Sequence, residues 1–145
     1  MSVGICIIAH EPLASALKLC AQHIFSATGD TFCDSIAVFD VPGDIDVEHG
    51  EAQARKLVSS FTQERDVLIF TDILGATPSN IAHRLLDDPK VRVITGVNLP
   101  ALITALSHHE ECGARIAIIA EGAARGGIST AFGKPSVIKD TANAD

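Results

Sequence analysis

Apolar and polar positions divide the chain into short apolar runs and longer stretches with a helical period. Val3 to Ala9 is rich in Ile and Val, stops on His10, and reads as a buried strand. From Pro12 to Ile24, Leu13, Ala16, Leu17, Cys20 and Ile24 recur at helical spacing. That spacing predicts a helix with this stripe turned to the core, and Pro12 suits its first position. A loop follows over Ser26 to Asp30, then a second strand over Ser35 to Val41, ended by Pro42-Gly43. The next helix is expected from Val47 to Phe61, with Ala54, Leu57, Val58 and Phe61 inward. Asp44 and Asp46 near its start suit the helix dipole.

Val67 to Thr71 is a third strand as apolar as the first, and Asp72 ends it. Thr77 is placed to cap a further helix, with Pro78 at its first position and Ile81, Leu85 and Leu86 along it to Asp87-Asp88-Pro89. Val91 to Thr95 is the fourth strand, closed by Gly96, and Pro100 opens a helix carrying Leu102, Ile103 and Leu106. Beyond it the pattern is ambiguous. Ile116 to Ala120 has the texture of a strand, while Arg115 to Arg125 fits an alanine-rich helix ended by Gly126-Gly127. Ser136 to Lys139 reads as a short closing strand in a C-terminal tail over about 131–145.

Strands alternating with helices imply an α/β fold: a doubly wound, mainly parallel sheet in the order 2-1-3-4, with helices on both faces. At 145 residues one domain spanning 1–145 is expected. In that order strands 1 and 3 are neighbours and the winding reverses between them. His10 and Asp72, at their carboxyl ends, therefore flank the crevice where such folds bind ligands.

Composition narrows the function classes. The net charge of −7 argues against nucleic acid as a partner. No apolar run is long enough to insert in a membrane and no secretory signal opens the chain, so the expected compartment is the cytoplasm. Cys6, Cys20, Cys33 and Cys112 form no C-x-x-C pair and read as core thiols rather than a metal or redox site. His108, His109, Glu110 and Glu111 are adjacent on a helix end, a poor arrangement for a metal and an ordinary one for a solvated terminus. His23, His49 and His83 have no partner evident in the pattern. The glycine signatures of nucleotide loops and the serine-hydrolase elbow are missing.

His10 and Asp72 have the ingredients of a nucleophile and its orienting group. A carboxylate that accepts from one imidazole nitrogen leaves the other free to attack and stabilises the cation that forms. Leu74, Gly75, Ala76 and Thr77 add backbone amides at a helix start, a ready place for an anion. Taken singly, each feature is an ordinary strand end or turn. Together in one crevice they suit phosphoryl capture on histidine.

Gly4 to His10, Phe70 to Asn80 and Ile94 to Pro100 resemble, in order and spacing, the mannose/fructose-family IIA component of the bacterial phosphoenolpyruvate-dependent sugar phosphotransferase system, over about residues 1 to 130. The resemblance implies that His10 is phosphorylated on the nitrogen far from the ring's attachment. Asp72 would hold the near nitrogen, and the loop Leu74 to Thr77 would surround the phosphoryl group. It implies no metal or cofactor, an HPr-like phosphocarrier as donor, and a separate IIB protein or domain as acceptor. It also implies a homodimer whose C-terminal strand crosses to the partner, and a helix over Ala114 to Arg125. Two positions depart from the family pattern: Glu11 stands where glycine is common, and Ala76 replaces a second loop glycine. A regulatory module, in which the phosphorylation state of His10 controls binding to another protein without sugar transport, is the second function class. An aspartate-phosphorylated receiver would need an acidic cluster where His10 stands. The Asp72 to Pro78 segment favours the mannose/fructose branch over a dihydroxyacetone-kinase phosphotransfer subunit.

Overall fold

The computed structural model describes residues 2–135. Four runs form strands: β1 (Gly4–His10), β2 (Ala37–Val41), β3 (Val67–Thr71) and β4 (Val91–Thr95). Five helices connect and follow them: α1 (Leu13–Phe25), α2 (Val47–Thr62), α3 (Thr77–Arg84), α4 (Leu99–Ser107) and α5 (Gly113–Gly126). All pairings are parallel and the order is β2-β1-β3-β4, as the alternation of elements predicts. Register is set by apolar side chains on both faces: Ile8 pairs with Phe39 and Thr71, and Thr71 with Thr95.

The strand period of two sorts the core into two layers. Ile5, Ile7, Ala9, Leu68 and Phe70 face α1, α4 and α5, while Cys6, Ile8, Val67 and Ile69 face α2 and α3. A sheet covered on both faces explains why β1 and β3 lack polar alternation. Ile5, Ile7, Ile8 and Phe70 are at most 1% exposed, and burial of each contributes about 1.5–3 kcal/mol.

The structure corrects the expected face of α1. Ala14, Leu17 and Ala21 are buried, while Leu13, Ala16, Cys20 and Ile24 lie exposed. The buried set follows the same helical period, rotated by roughly one residue, about 100°. Its two alanines let the helix lie close to the sheet, which the bulkier stripe would not. The thiols divide accordingly: Cys6 and Cys33 are core groups, while Cys20 and Cys112 are on the surface. At α3 the cap residue is Ala76, not Thr77, and no side chain caps it; Thr77 is already helical and Pro78 sits in the first turn. α4 begins one residue before Pro100, with Asn98 as its cap accepting from the Ala101 amide at 3.0 Å. The ambiguous segment after residue 112 is helix α5, as the family pattern favours. Residues 131–135 carry no helix or strand, and the closing strand expected at Ser136 to Lys139 lies outside the described residues.

Candidate active site

β1 delivers His10 to the carboxyl end of the sheet, and its neighbour β3 delivers Asp72 one residue past its end. Asp72 Oδ2 accepts twice from His10, from the backbone amide at 2.8 Å and from ring Nδ1 at 2.7 Å. A carboxylate only accepts, so Nδ1 carries the hydrogen in this contact and the Nε2 lone pair is free. The other carboxylate oxygen, Oδ1, accepts from the Ile73 amide at 2.8 Å. The side chain of Asp72 is 9% exposed and that of His10 47%. The orienting group is thus shielded while the nucleophile is open to a partner.

Charge at the pair follows from these contacts. Burial pushes the Asp72 carboxyl up, but the hydrogen bonds from the His10 amide, the His10 ring and the Ile73 amide, with the attraction of the ring, outweigh it. The carboxyl is held below its ordinary value of 3.8. Asp72 is therefore the anion that stabilises an imidazole as it gains positive charge.

Both partners are braced through backbone. The Glu11 amide donates to the Val41 carbonyl at 3.1 Å, tying the residue after His10 to the end of β2. The Gly96 amide donates to the carbonyls of Thr71 at 3.0 Å and Asp72 at 2.8 Å. Gly96 does this at φ +85, a conformation an L side chain resists. Asp40, near the end of β2, accepts from the Ser15 amide at 3.0 Å and from the Ser15 hydroxyl, fixing the first turn of α1. These supports were not anticipated from the sequence. The glycine directly after β4 was the one signal available for Gly96. Nothing local singles out Asp40 or the Val41 carbonyl.

The loop after Asp72 turns at Gly75, φ +91, into α3. Among the expected anion-facing amides, that of Ala76 is already committed to the Ile73 carbonyl at 3.2 Å. Those of Leu74, Gly75 and Thr77 donate to no backbone carbonyl among the described residues, and neither does that of Ser79, which the sequence reading did not include. Asn80 braces the turn through the Gly75 carbonyl at 3.4 Å. The donors available to an anion are therefore Leu74, Gly75 and Thr77, since Ser79 is fully buried. Ile73 and Leu74 are 63% and 74% exposed, an apolar edge beside the open histidine.

The other candidates stay apart from this rim. His109 stacks on Phe32 with ring centroids 3.7 Å apart, and His108 Nδ1 contacts the Thr104 carbonyl. His83 bonds within α3 to the Ser79 carbonyl, and His49 approaches Gln53 on α2. Among the described residues no three His, Cys, Asp or Glu side chains are grouped to hold a metal ion, and no helix is long and apolar enough to cross a membrane. A groove of about 360 Å³ runs between β4 and α5, lined by Thr95, Gly96, Asn98, Ala124 and Arg125; His10 and Asp72 do not line it.

Comparison with known proteins places this geometry. The chain is 29% identical, over 109 residues, to the PTS system fructose-specific EIIA component of Bacillus subtilis, covering 74% of this chain and 71% of that protein. Its fold is similar to that of the phosphotransferase system component EIIA from Streptococcus agalactiae, with TM-score 0.74 and 20% identity over 88% of this chain and 96% of that one. It is equally similar to the mannose/sorbose-specific IIA subunit from Enterococcus faecalis, with TM-score 0.74 and 21% identity over 94% and 99%. The sequence profile of the PTS system fructose IIA component family, EIIA-man, matches residues 4–120, a span that contains His10, Asp72 and the whole loop between β3 and α3, and this chain belongs to that family.

Proposed function

We propose that the protein is a phosphotransfer component of a sugar phosphotransferase relay. His10 takes a phosphoryl group on Nε2 from an HPr-like phosphocarrier and passes it to a separate IIB protein or domain. One observation carries this reading: the 2.7 Å contact of His10 Nδ1 with the shielded carboxylate of Asp72, which leaves Nε2 free on an exposed ring. In the transfer the Nε2 lone pair attacks phosphorus, the P–N bond of the carrier breaks, and the electron pair returns to the carrier's imidazole. Asp72 keeps the Nδ1 proton and compensates the charge that develops on the ring. The unpaired amides of Leu74, Gly75 and Thr77 supply donors for the phosphoryl oxygens at the start of α3. Catalysis here is positioning and charge compensation, which needs no metal or cofactor. The exposed Ile73 and Leu74 give the carrier an apolar edge to dock on.

This reading places the protein in the cytoplasm as a homodimer, with its C-terminal strand exchanged between subunits; sedimentation of the full chain tests the dimer. The function is tested by incubation with enzyme I, HPr and labelled phosphoenolpyruvate. Wild type should take up acid-labile, base-stable label and His10→Ala none. Labelled HPr alongside unlabelled wild-type protein would refute the relay.

A further inference from the structure

The loops that leave the carboxyl ends of the four strands, over residues 10–13, 41–47, 72–77 and 95–99, contain Glu11, Asp44, Asp46 and Asp72, and neither lysine nor arginine. A phosphoryl group arriving on His10 would enter a rim made of carboxylates. Two of them are already engaged: Asp72 holds His10, and Asp46 caps α2 by accepting from the His49 amide at 2.9 Å. Glu11 is different. It is exposed, directly follows the nucleophile, and its carboxylate has no hydrogen-bond or ion-pair partner among the described residues. Its backbone cannot swing away, because the Glu11 amide is tied to Val41 and the His10 amide to Asp72. Arg125, which lines the groove at β4, is paired with Glu121 at 2.9 Å.

We propose that Glu11 sets the phosphoryl-transfer equilibrium of His10. Its uncompensated charge raises the free energy of the phosphorylated form and makes phospho-His10 a strong donor rather than a store. This rests on the phosphotransfer reading above. Transfer brings two phosphoryl negative charges to the ring, partly offset by the positive charge that the ring gains opposite Asp72. Consecutive Cα atoms lie about 3.8 Å apart, so the Glu11 side chain can bring its carboxylate to about 4–6 Å from the phosphoryl oxygens, where exposed charges in water shift the equilibrium by roughly three- to tenfold. No bond to Glu11 forms or breaks. It acts on the energy of the product and is a tuning residue, not a catalytic one.

The test is an equilibrium partition. Labelled phospho-HPr, freed of enzyme I and phosphoenolpyruvate, is mixed in equal amount with wild type, Glu11→Gln or Glu11→Asp, and the label on each protein is read once it stops changing. The partition depends only on the free proteins and not on the contacts made while they are docked, so a role of Glu11 in docking leaves it unmoved. Glu11→Gln should move the partition roughly three- to tenfold toward phospho-His10, Glu11→Asp should stay near wild type, and added salt should shrink the difference. Equal partition for Glu11→Gln and a labelled wild type would overturn the proposal and leave the relay standing. An equal shift in Glu11→Asp and Glu11→Gln would overturn it in favour of side-chain shape. A wild type that takes no label from phospho-HPr would remove the relay and this proposal together.

Discussion

Asp72→Asn is the sharpest probe of the site, because it keeps shape while changing what each atom can do. The carboxylate accepts three hydrogen bonds, two at Oδ2 from His10 and one at Oδ1 from the Ile73 amide. Asparagine offers one oxygen and one NH2. If the oxygen faces His10, the NH2 meets the Ile73 N–H, donor against donor, and losing that hydrogen bond costs about 1 kcal/mol. If the oxygen faces Ile73, the NH2 meets both the His10 amide and Nδ1. Nδ1 must then become the acceptor, its hydrogen moves to Nε2, and the nucleophilic lone pair is gone. The first arrangement loses the charge that stabilises the ring, and the second loses the nucleophile. Replacing the triad aspartate of a serine protease by asparagine costs about 10⁴-fold through the wrong tautomer, so initial phosphorylation of Asp72→Asn should fall by roughly 10²- to 10⁴-fold. Rapid-quench labelling from phospho-HPr measures this, with circular dichroism to verify the fold. A labelling rate within about threefold of wild type would refute the orienting role, since even a single lost charge-assisted bond exceeds that. The acid limit has a definite sign. Asp72 is held below 3.8, so its contribution is complete above the ordinary carboxylate value and is lost as pH falls through the lower folded one. The Ile73 amide resonance should accordingly keep its hydrogen-bonded shift at pH 4 and lose it only in stronger acid.

Three further tests concern the scaffold. The Thr71 hydroxyl is fully buried without a partner among the described residues, so Thr71→Val should raise stability in urea by about 1–2 kcal/mol; destabilisation would mean the hydroxyl is satisfied after all. A Cβ on Gly50 would come within 2.4 Å of Ile81 Cδ1 in the core under α2, so Gly50→Ala should destabilise by about 1 kcal/mol net of its helix propensity, whereas Gly122→Ala, with nothing within 4 Å, should stabilise α5 by about 0.5–1 kcal/mol. Burial pushes the Cys6 thiol up to about 12 and, with help from Asp34, also raises Cys33. Iodoacetamide on the native protein should therefore label Cys20 and Cys112 and spare the other two until denaturant is added; mass spectrometry reads the sites.

Much of this protein is legible in its sequence. β1 and β3 stand out because the central strands, covered on both faces, are apolar along almost their whole length, which leaves a signal that survives without knowledge of neighbours. Alternation of strand and helix with right-handed crossovers makes the parallel order β2-β1-β3-β4 a natural choice, the structure has that order, and it brings His10 and Asp72 to adjacent strand ends. Helix faces are less legible. In α1 the expected stripe Leu13, Ala16, Leu17, Cys20, Ile24 shares only Leu17 with the buried set Ala14, Leu17, Ala21; both have the same period, and hydrophobicity favours the one that lies mostly in solvent. The choice belongs to the sheet, which admits the small side chains more closely. Partners made by backbone are not encoded locally at all. The Val41 carbonyl under Glu11, the Gly96 amide under Asp72 and the Asp40 clasp on α1 all join residues whose meeting depends on how strands and turns stack. Residue identity thus determined which groups can act as nucleophile and orienter. Tertiary structure decided which ring nitrogen is free, which amides remain unspent, and that no side chain among the described residues pairs with the Glu11 carboxylate, because each of these depends on which segments meet in the fold.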